Sequence, residues 1–275
     1  MPGILWLASY PKSGNTWTRA FLANLILDPP EPLPLKNIGD ICPSEPHEMW
    51  YQPLVDKRVA EMTPEELAPL RTKAQERVVS LNKNVVPMKT HSYLGEDRGY
   101  PIFSMKVTYG AIYIIRDPRD VAVSAADHFG CTIDEMIDMM ADPLSQTQRL
   151  EGTIIHERVS SWSNHVESWT KWNHPGIFTV RYEDLLVDPL DQFGRVARHF
   201  GISTDKARIK KAVEFSSFKQ LQKMEAEQGF IERSDHSERF FRSGHSGGWR
   251  DTLTAEQVKK IESDHAVQMK RFGYL

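Results

Sequence analysis

The sequence predicts an α/β fold in a single domain, residues 1–275, with a central parallel sheet covered by helices on both faces. Three observations carry this. Short apolar runs recur at residues 4–8, 85–88, 111–115 and 177–182. They lack the apolar–polar alternation of a half-exposed strand, so both of their faces are expected to be buried. Stretches with helical spacing lie between them, and strand–helix alternation of this kind builds a parallel sheet. The chain's 275 residues, 40% hydrophobic and 26% charged, are enough to bury a core without disulfide staples.

Taken in order, the strand at 4–8 runs through Tyr10-Pro11-Lys12-Ser13-Gly14-Asn15 into a helix over 16–27. Residues 28–53 are proline-rich and read as irregular. Thr63, Pro64 and Glu66 give a helix start: a capping hydroxyl, proline at the first position and glutamate three after the cap. The strand at 85–88 ends in Met88-Lys89-Thr90-His91. The strand at 111–115 ends in Arg116 and leads to a helix over 119–129. A long amphipathic helix is expected over 157–172. Trp162, Val166, Trp169 and Asn173 follow its spacing, with the tryptophans in the core. After the strand at 177–182 come helices over 191–200 and 254–272. The last opens on a capping box, Thr254 and Gln257, and stops at Gly273. Residues 223–248 read as a loop. In a sheet of this type the ligand site lies at the carboxyl ends of the strands.

Composition removes several function classes. A net charge of −3 offers no general basic surface, so nucleic acid is not an expected partner and any anion site must be local. Two cysteines, Cys42 and Cys131, make neither a disulfide framework nor a thiolate zinc site. The first apolar run is five residues with no basic leader, and nothing approaches the roughly 18 apolar residues of a membrane span. A soluble, cytoplasmic protein is expected.

Four segments carry candidate chemistry. At Tyr10 to Trp17 a strand meets a helix whose first amides, at Gly14, Asn15 and Thr16, point outward and bind anions. Lys12 adds a full charge, and Ser13 and Thr16 add hydroxyls. The alternative is an ordinary strand–turn–helix with a surface lysine. Arg116 stands at a strand end with Ser124 one to two helical turns into the following helix, an arrangement suited to bidentate phosphate binding. Asp117, Arg119 and Asp120 beside it also suit a local salt-bridge cluster. His91, after Lys89 at a strand end, is a candidate general base or a structural histidine. Phe241-Arg242-Ser243-Gly244 through Gly248-Trp249 is a flexible loop able to approach an anion closely, or a mobile linker.

Together these segments resemble, in order and spacing and over nearly the whole chain, the cytosolic-type sulfotransferases that use 3′-phosphoadenosine 5′-phosphosulfate (PAPS). Residues 10–17 look like that family's 5′-phosphosulfate loop, and Lys89-Thr90-His91 like its catalytic-histidine segment. Arg116 and Ser124 match its 3′-phosphate motif, Tyr182 a strand end facing the nucleotide, and Ser216-Ser217-Phe218 a segment beside the adenine. Arg242-Ser243-Gly244 resembles its closing loop. The sequence departs in three places. Ser243 replaces a lysine and Asn15 a threonine, and Lys259 reverses a charge in the segment through which the family dimerises, so no oligomeric state is implied.

The resemblance implies a P-loop-kinase-like three-layer fold and transfer of a sulfuryl group onto a hydroxyl, phenol or amine of a small-molecule acceptor. It implies PAPS as co-substrate, PAP as product, and no metal. His91 would be the general base, Lys12 would stabilise the leaving phosphate, and Lys89 would assist. Lys12, Ser13, Gly14, Asn15, Thr16 and Trp17 would hold the 5′ side. Arg116, Ser124, Arg242, Ser243 and Gly244 would hold the 3′-phosphate, and Trp17, Tyr182, Ser216 and Phe218 the adenine. For the acceptor pocket the loops at 28–53, 93–104 and 129–150 are candidates, through Trp50, Tyr51, Tyr93, Tyr100, Phe103 and Phe129. Met136, Met139 and Met140 share a helical face expected to pack in the core, with a substrate lid as the other reading. Glu225, Glu227, Glu232 and Asp235 read as a solvated charge run. Two other readings compete: an ATP-dependent small-molecule kinase, with Asp117 imitating a magnesium-binding carboxylate, and an inert nucleotide-binding protein.

Overall fold

The computed structural model describes residues 2–147, 153–171 and 174–275. Its centre is a four-stranded parallel sheet, β1 (Gly3–Ser9), β2 (Val85–Thr90), β3 (Thr108–Ile115) and β4 (Ile177–Arg181), in the order β2-β1-β3-β4. β1 lies in the middle, with Trp6 opposite Met88 on one side and Ala111 on the other. All seven of its residues are buried, which is why no alternation shows in the sequence. Ile4, Trp6 and Ala8 face one core with Tyr113 and Ile115, while Leu5 and Leu7 face the other with Ile112 and Ile114. The expected three-layer architecture is the observed one.

The helices of six or more residues are α1 (Asn15–Leu27), α2 (Arg71–Ser80), α3 (Pro118–Phe129), α4 (Ile133–Ala141), α5 (Trp162–Thr170), α6 (Tyr182–Val187), α7 (Pro189–His199), α8 (Lys206–Phe215), α9 (Phe218–Gln228) and α10 (Ala255–Arg271). α1, α7 and α8 cover one face through Phe21, Leu25, Phe193, Val196 and Ile209; Phe21 stacks on Phe193 at 4.2 Å. α3, α4, α5 and α10 cover the other through Val121, Met140, Trp162, Trp169 and Met269. The capping boxes at Thr63 and Thr254 form as read. The helix begun by Thr63 lasts one turn, Pro64–Leu67, and α2 follows after a tight turn.

Three expectations are corrected. The long helix over 157–172 is only α5. Ser160 takes a left-handed φ of 64° and Ser161 caps the helix by accepting from the Asn164 N–H, so residues 157–160 lie outside the helix. Trp162, Val166 and Trp169 are core as expected, while Trp172 and Asn173 lie outside the described residues. Residues 28–53 are not wholly irregular but include short helical turns at Leu35–Asn37, Ile38–Ile41, Glu48–Tyr51 and Gln52–Leu54. The supposed loop at 223–248 begins inside α9, whose Leu221 and Met224 are buried against Phe230 and Phe241. Cys42 and Cys131 are free thiols. Among the described residues no helix is long and apolar enough to cross a membrane.

Candidate active site

The carboxyl ends of β1, β2 and β3 open into one cavity of about 1090 Å³. Lys12, Gly14, Asn15, Thr16, Trp17, Lys89, His91, Arg116, Ser124, Tyr182, Phe218, Arg242, Ser243 and Gly244 all line it. Two expected contributors do not. Ser13 lies fully buried beneath the loop, and Ser216 is fully buried with its hydroxyl donating to the Ala212 carbonyl at 2.8 Å.

The loop after β1 is folded by two left-handed residues, Lys12 at φ 62° and Gly14 at φ 98°. A side chain at Lys12 in that region stores strain of a kind found at functional sites. Its carbonyl is held by Arg116, which donates at 2.9 Å. At Gly14 a Cβ would stand 2.7 Å from the Tyr182 ring, so the loop approaches Tyr182 as only glycine allows. α1 then begins at Asn15. Its first internal bond runs from the Thr18 N–H to the Gly14 carbonyl, leaving the preceding amides without an acceptor inside the helix. The Asn15 side chain turns back to donate to the Leu7 carbonyl (2.8 Å) and the Ser9 hydroxyl (3.2 Å), bracing the end of β1.

Electrostatics around the loop are uneven. The Lys12 ammonium sits 4.0 Å above the Phe240 ring, and burial together with the neighbouring Arg116 lowers its pKa to about 8. Arg116 packs 4.6 Å over the Tyr182 ring, and its Nε is buried with no hydrogen-bond partner among the described residues. A buried donor without an acceptor is costly, and an anion reaching it would make a charge-assisted hydrogen bond. Arg242 reaches toward Asp127 at 3.6 Å, and a Cβ on Gly244 would meet the Phe218 ring at 2.5 Å.

His91 is gripped from several sides. Its Nδ1 lies 2.8 Å from the Ser9 carbonyl, an atom that only accepts, so the proton is on Nδ1 and Nε2 carries the lone pair. Its main-chain N–H donates to Glu157 at 2.5 Å, and its carbonyl accepts from His165 Nε2 at 3.2 Å. Tyr113 donates to His165 Nδ1 at 2.9 Å and fixes that second ring. Burial, then the adjacent Lys89, pushes the His91 pKa well below its ordinary value, so the imidazole is neutral near pH 7.

Several residues here had no signal in the sequence beyond their charge. Glu232 is only partly solvated, its side chain 27% exposed: it pairs with Arg19 at 2.5 Å, accepts from Thr16 at 3.4 Å and faces Lys89 at 4.0 Å. Glu225, 7% exposed, accepts the N–H groups of Phe240 (2.6 Å) and Phe241 (3.0 Å). Asp120 accepts those of Gly247 (2.6 Å) and Trp249 (3.1 Å), fixing the glycine loop. Asp117 caps α3 and pairs with Arg119 at 2.7 Å, the salt-bridge arrangement rather than a free magnesium-binding carboxylate.

The cavity is also lined by Phe129, Cys131, Met136, Met139, Ser145, Gln146, Thr147, Ile154, Glu157 and Val159. Only the last of the three expected loop regions therefore contributes among the described residues. The aromatics of the other two turn elsewhere: Trp50 donates to the Ser44 carbonyl, Tyr51 to Glu45 and Tyr93 to the Glu96 carbonyl, Phe103 packs edge-on against Trp6 and Trp169, and Tyr100 is exposed away from the cavity. Of the methionine face, Met136 and Met140 are core as expected, Met136 also reaching the cavity, whereas Met139 is exposed and lines the cavity. Among the described residues no group of three His, Cys, Asp or Glu side chains is placed to hold a metal ion.

This geometry agrees with what the chain is similar to. It is 25% identical to sulfotransferase 1A1 of Canis lupus familiaris over 99% of this chain and 85% of that one. It is 27% identical to sulfotransferase 1A1 of Bos taurus over 98% and 84%. A structure of retinol dehydratase with androsterone and the inactive cofactor PAP shares the fold, with a TM-score of 0.63 at 21% identity over 97% of this chain and 80% of that one. The sulfotransferase domain profile matches residues 2–273, and the chain therefore belongs to the sulfotransferase domain family.

Proposed function

We propose that the protein transfers a sulfuryl group from PAPS to a hydroxyl, phenol or amine of a small-molecule acceptor, with His91 as general base and Lys12 beside the leaving phosphate. PAPS supplies an activated sulfuryl group on a phosphate leaving group, and the PAP in the retinol dehydratase structure supports this donor. The residues present fit such a nucleotide: free helix amides, the unpartnered Arg116 Nε, and a cradle at Gly14 with no room for a Cβ.

The observation that carries the reading is His91. Its Nδ1–H is committed to the Ser9 carbonyl, so Nε2 is left to take the acceptor's proton, in the cavity that Lys12 also lines. A positioned base of this kind contributes roughly 10²–10⁴-fold. Lys12 and the amides of Gly14, Asn15 and Thr16 concentrate positive charge where the leaving phosphate gains negative charge. Arg116 and Ser124, with Arg242, Ser243 and the Gly244 main chain, serve the 3′-phosphate. Trp17, Phe218 and Tyr182 offer aromatic surface to the adenine. Lys89, beside His91, assists at the bridging oxygen. The acceptor lies toward Phe129, Met136 and Met139, a partly apolar surface with Gln146 and Thr147 as polar contacts.

The test is to incubate the protein with radiolabelled PAPS, or with labelled ATP, and a panel of alcohols, phenols (p-nitrophenol among them) and amines, with EDTA present. EDTA-insensitive transfer of label from PAPS is expected. Metal-dependent transfer from ATP, or nucleotide binding without turnover on any acceptor, would overturn the reading.

A further inference from the structure

We infer that Glu232 is a positioning residue for the reaction: one carboxylate oxygen fastens its segment to α1 through Arg19, and the other orients the Thr16 hydroxyl and the Lys89 ammonium at the cavity. This rests on the sulfuryl-transfer reading above. The two oxygens divide the work. Oε1 is the one within 2.5 Å of Arg19, whose Nε is itself anchored on the Cys42 carbonyl at 3.1 Å. Oε2 points the other way, to Thr16 at 3.4 Å and Lys89 at 4.0 Å, and both of those residues line the cavity. A carboxylate kept only as a surface pin would have no reason to face two groups of the donor cradle.

Its charge state is fixed. Burial would raise its pKa, but Lys89 and Arg19 outweigh burial and hold it at about 2. A permanent negative charge therefore stands beside a cradle built for an anion. It opposes nucleotide binding by simple Coulomb repulsion while it holds Lys89 in place. These effects have opposite signs, and that separates positioning from a merely structural role, whose loss would weaken everything together.

The test uses Glu232→Gln and Glu232→Asp, with the PAP dissociation constant by calorimetry and the single-turnover rate with labelled PAPS and p-nitrophenol or a faster panel acceptor. Glu232→Gln removes the charge and should bind PAP about threefold tighter or more, with transfer slowed roughly tenfold or more. Glu232→Asp keeps the charge but withdraws from Lys89, so PAP affinity should stay near wild type while transfer slows. Weaker PAP binding by Glu232→Gln, or a wild-type transfer rate, would overturn the inference. If Glu232→Gln does not fold, Glu232→Asp carries the test alone, and a wild-type rate in it is equally fatal. Wild-type protein that neither binds PAP nor uses PAPS would remove the parent reading, and this one with it.

Discussion

The imidazole of His91, at the end of β2, hangs from the carbonyl of Ser9, at the end of β1, with Nδ1 and O 2.8 Å apart. A parallel register that sets Ala8 opposite Thr90 makes the pairing possible, because it brings both strands to an end at the same level. One main-chain oxygen thereby selects the tautomer that leaves the lone pair on Nε2, in a residue that lines the cavity.

His91→Ala should reduce turnover by about 10²–10⁴-fold, the range for a lost general base. PAP binding should change little, since none of the expected nucleotide contacts comes from the ring. Steady-state kinetics and calorimetry on the same preparation check this. A parallel loss of PAP affinity would make His91 a binding residue.

Lys12→Ala should depress turnover far more than it weakens PAP binding, because the amine is placed for charge that develops only as the bond to sulfur breaks. The ammonium now rests on Phe240 at 4.0 Å, a contact that a leaving phosphate would outcompete. Equal losses in turnover and in PAP affinity would reduce Lys12 to an anchor.

The pH profile follows from the same two groups. His91 must be neutral, and with its pKa well below the ordinary value it is neutral throughout the range above pH 6.5. Lys12 must be charged, and with a pKa of about 8 it loses its proton as pH rises. kcat/KM for the donor, which reports the free enzyme, should be level near neutrality and fall above about pH 8, approaching tenfold per unit. Lys12→Arg keeps its charge at every pH and should lose that alkaline limb, whatever its absolute rate. An unchanged limb in Lys12→Arg would assign it to another group.

Much of this arrangement was legible in the chain. β1, and β3 from Gly110 onward, are buried on both faces, so their composition alone marked them, and the caps at Thr63 and Thr254 depend on neighbours three residues away. Glu232 was not legible, because what makes it a site residue is Arg19, 213 positions earlier, and a local pattern of acids shows only charge. Glu157 was hidden differently: helical spacing continued through it, but the left-handed Ser160 and the Ser161 cap broke the helix and turned the carboxylate onto the His91 amide. The acceptor-side aromatics misled for the opposite reason. Tyr51 and Phe103 satisfy the protein's own core, a choice made by tertiary packing rather than by residue type.

Gly14→Ala should cost the donor loop its shape. The residue would have to hold φ 98° with a Cβ 2.7 Å from the Tyr182 ring, and backbone strain of this sort alone costs about 1–3 kcal/mol. The loop would relax by moving the Lys12 and Asn15 amides, so PAP affinity should fall by about tenfold or more, with a smaller change in melting temperature. Wild-type affinity for PAP would show that the loop binds nothing.

Asp120→Ala tests the closing loop without touching the cradle's cations. Asp120, 5% exposed, accepts from both the Gly247 and Trp249 amides, at 2.6 and 3.1 Å, and these two bonds attach the segment carrying Arg242, Ser243 and Gly244 to α3. Charge-assisted bonds of this kind contribute about 1.5–3 kcal/mol each. Part of that loss would be recovered by water reaching the freed amides, so the loop would open rather than the domain unfold. PAP should then dissociate at least about tenfold faster, measured by stopped-flow displacement, with its association rate nearly unchanged, the pattern expected of a loop that retains the nucleotide. A slower association at unchanged dissociation would mean that the loop guides entry instead of retaining the nucleotide.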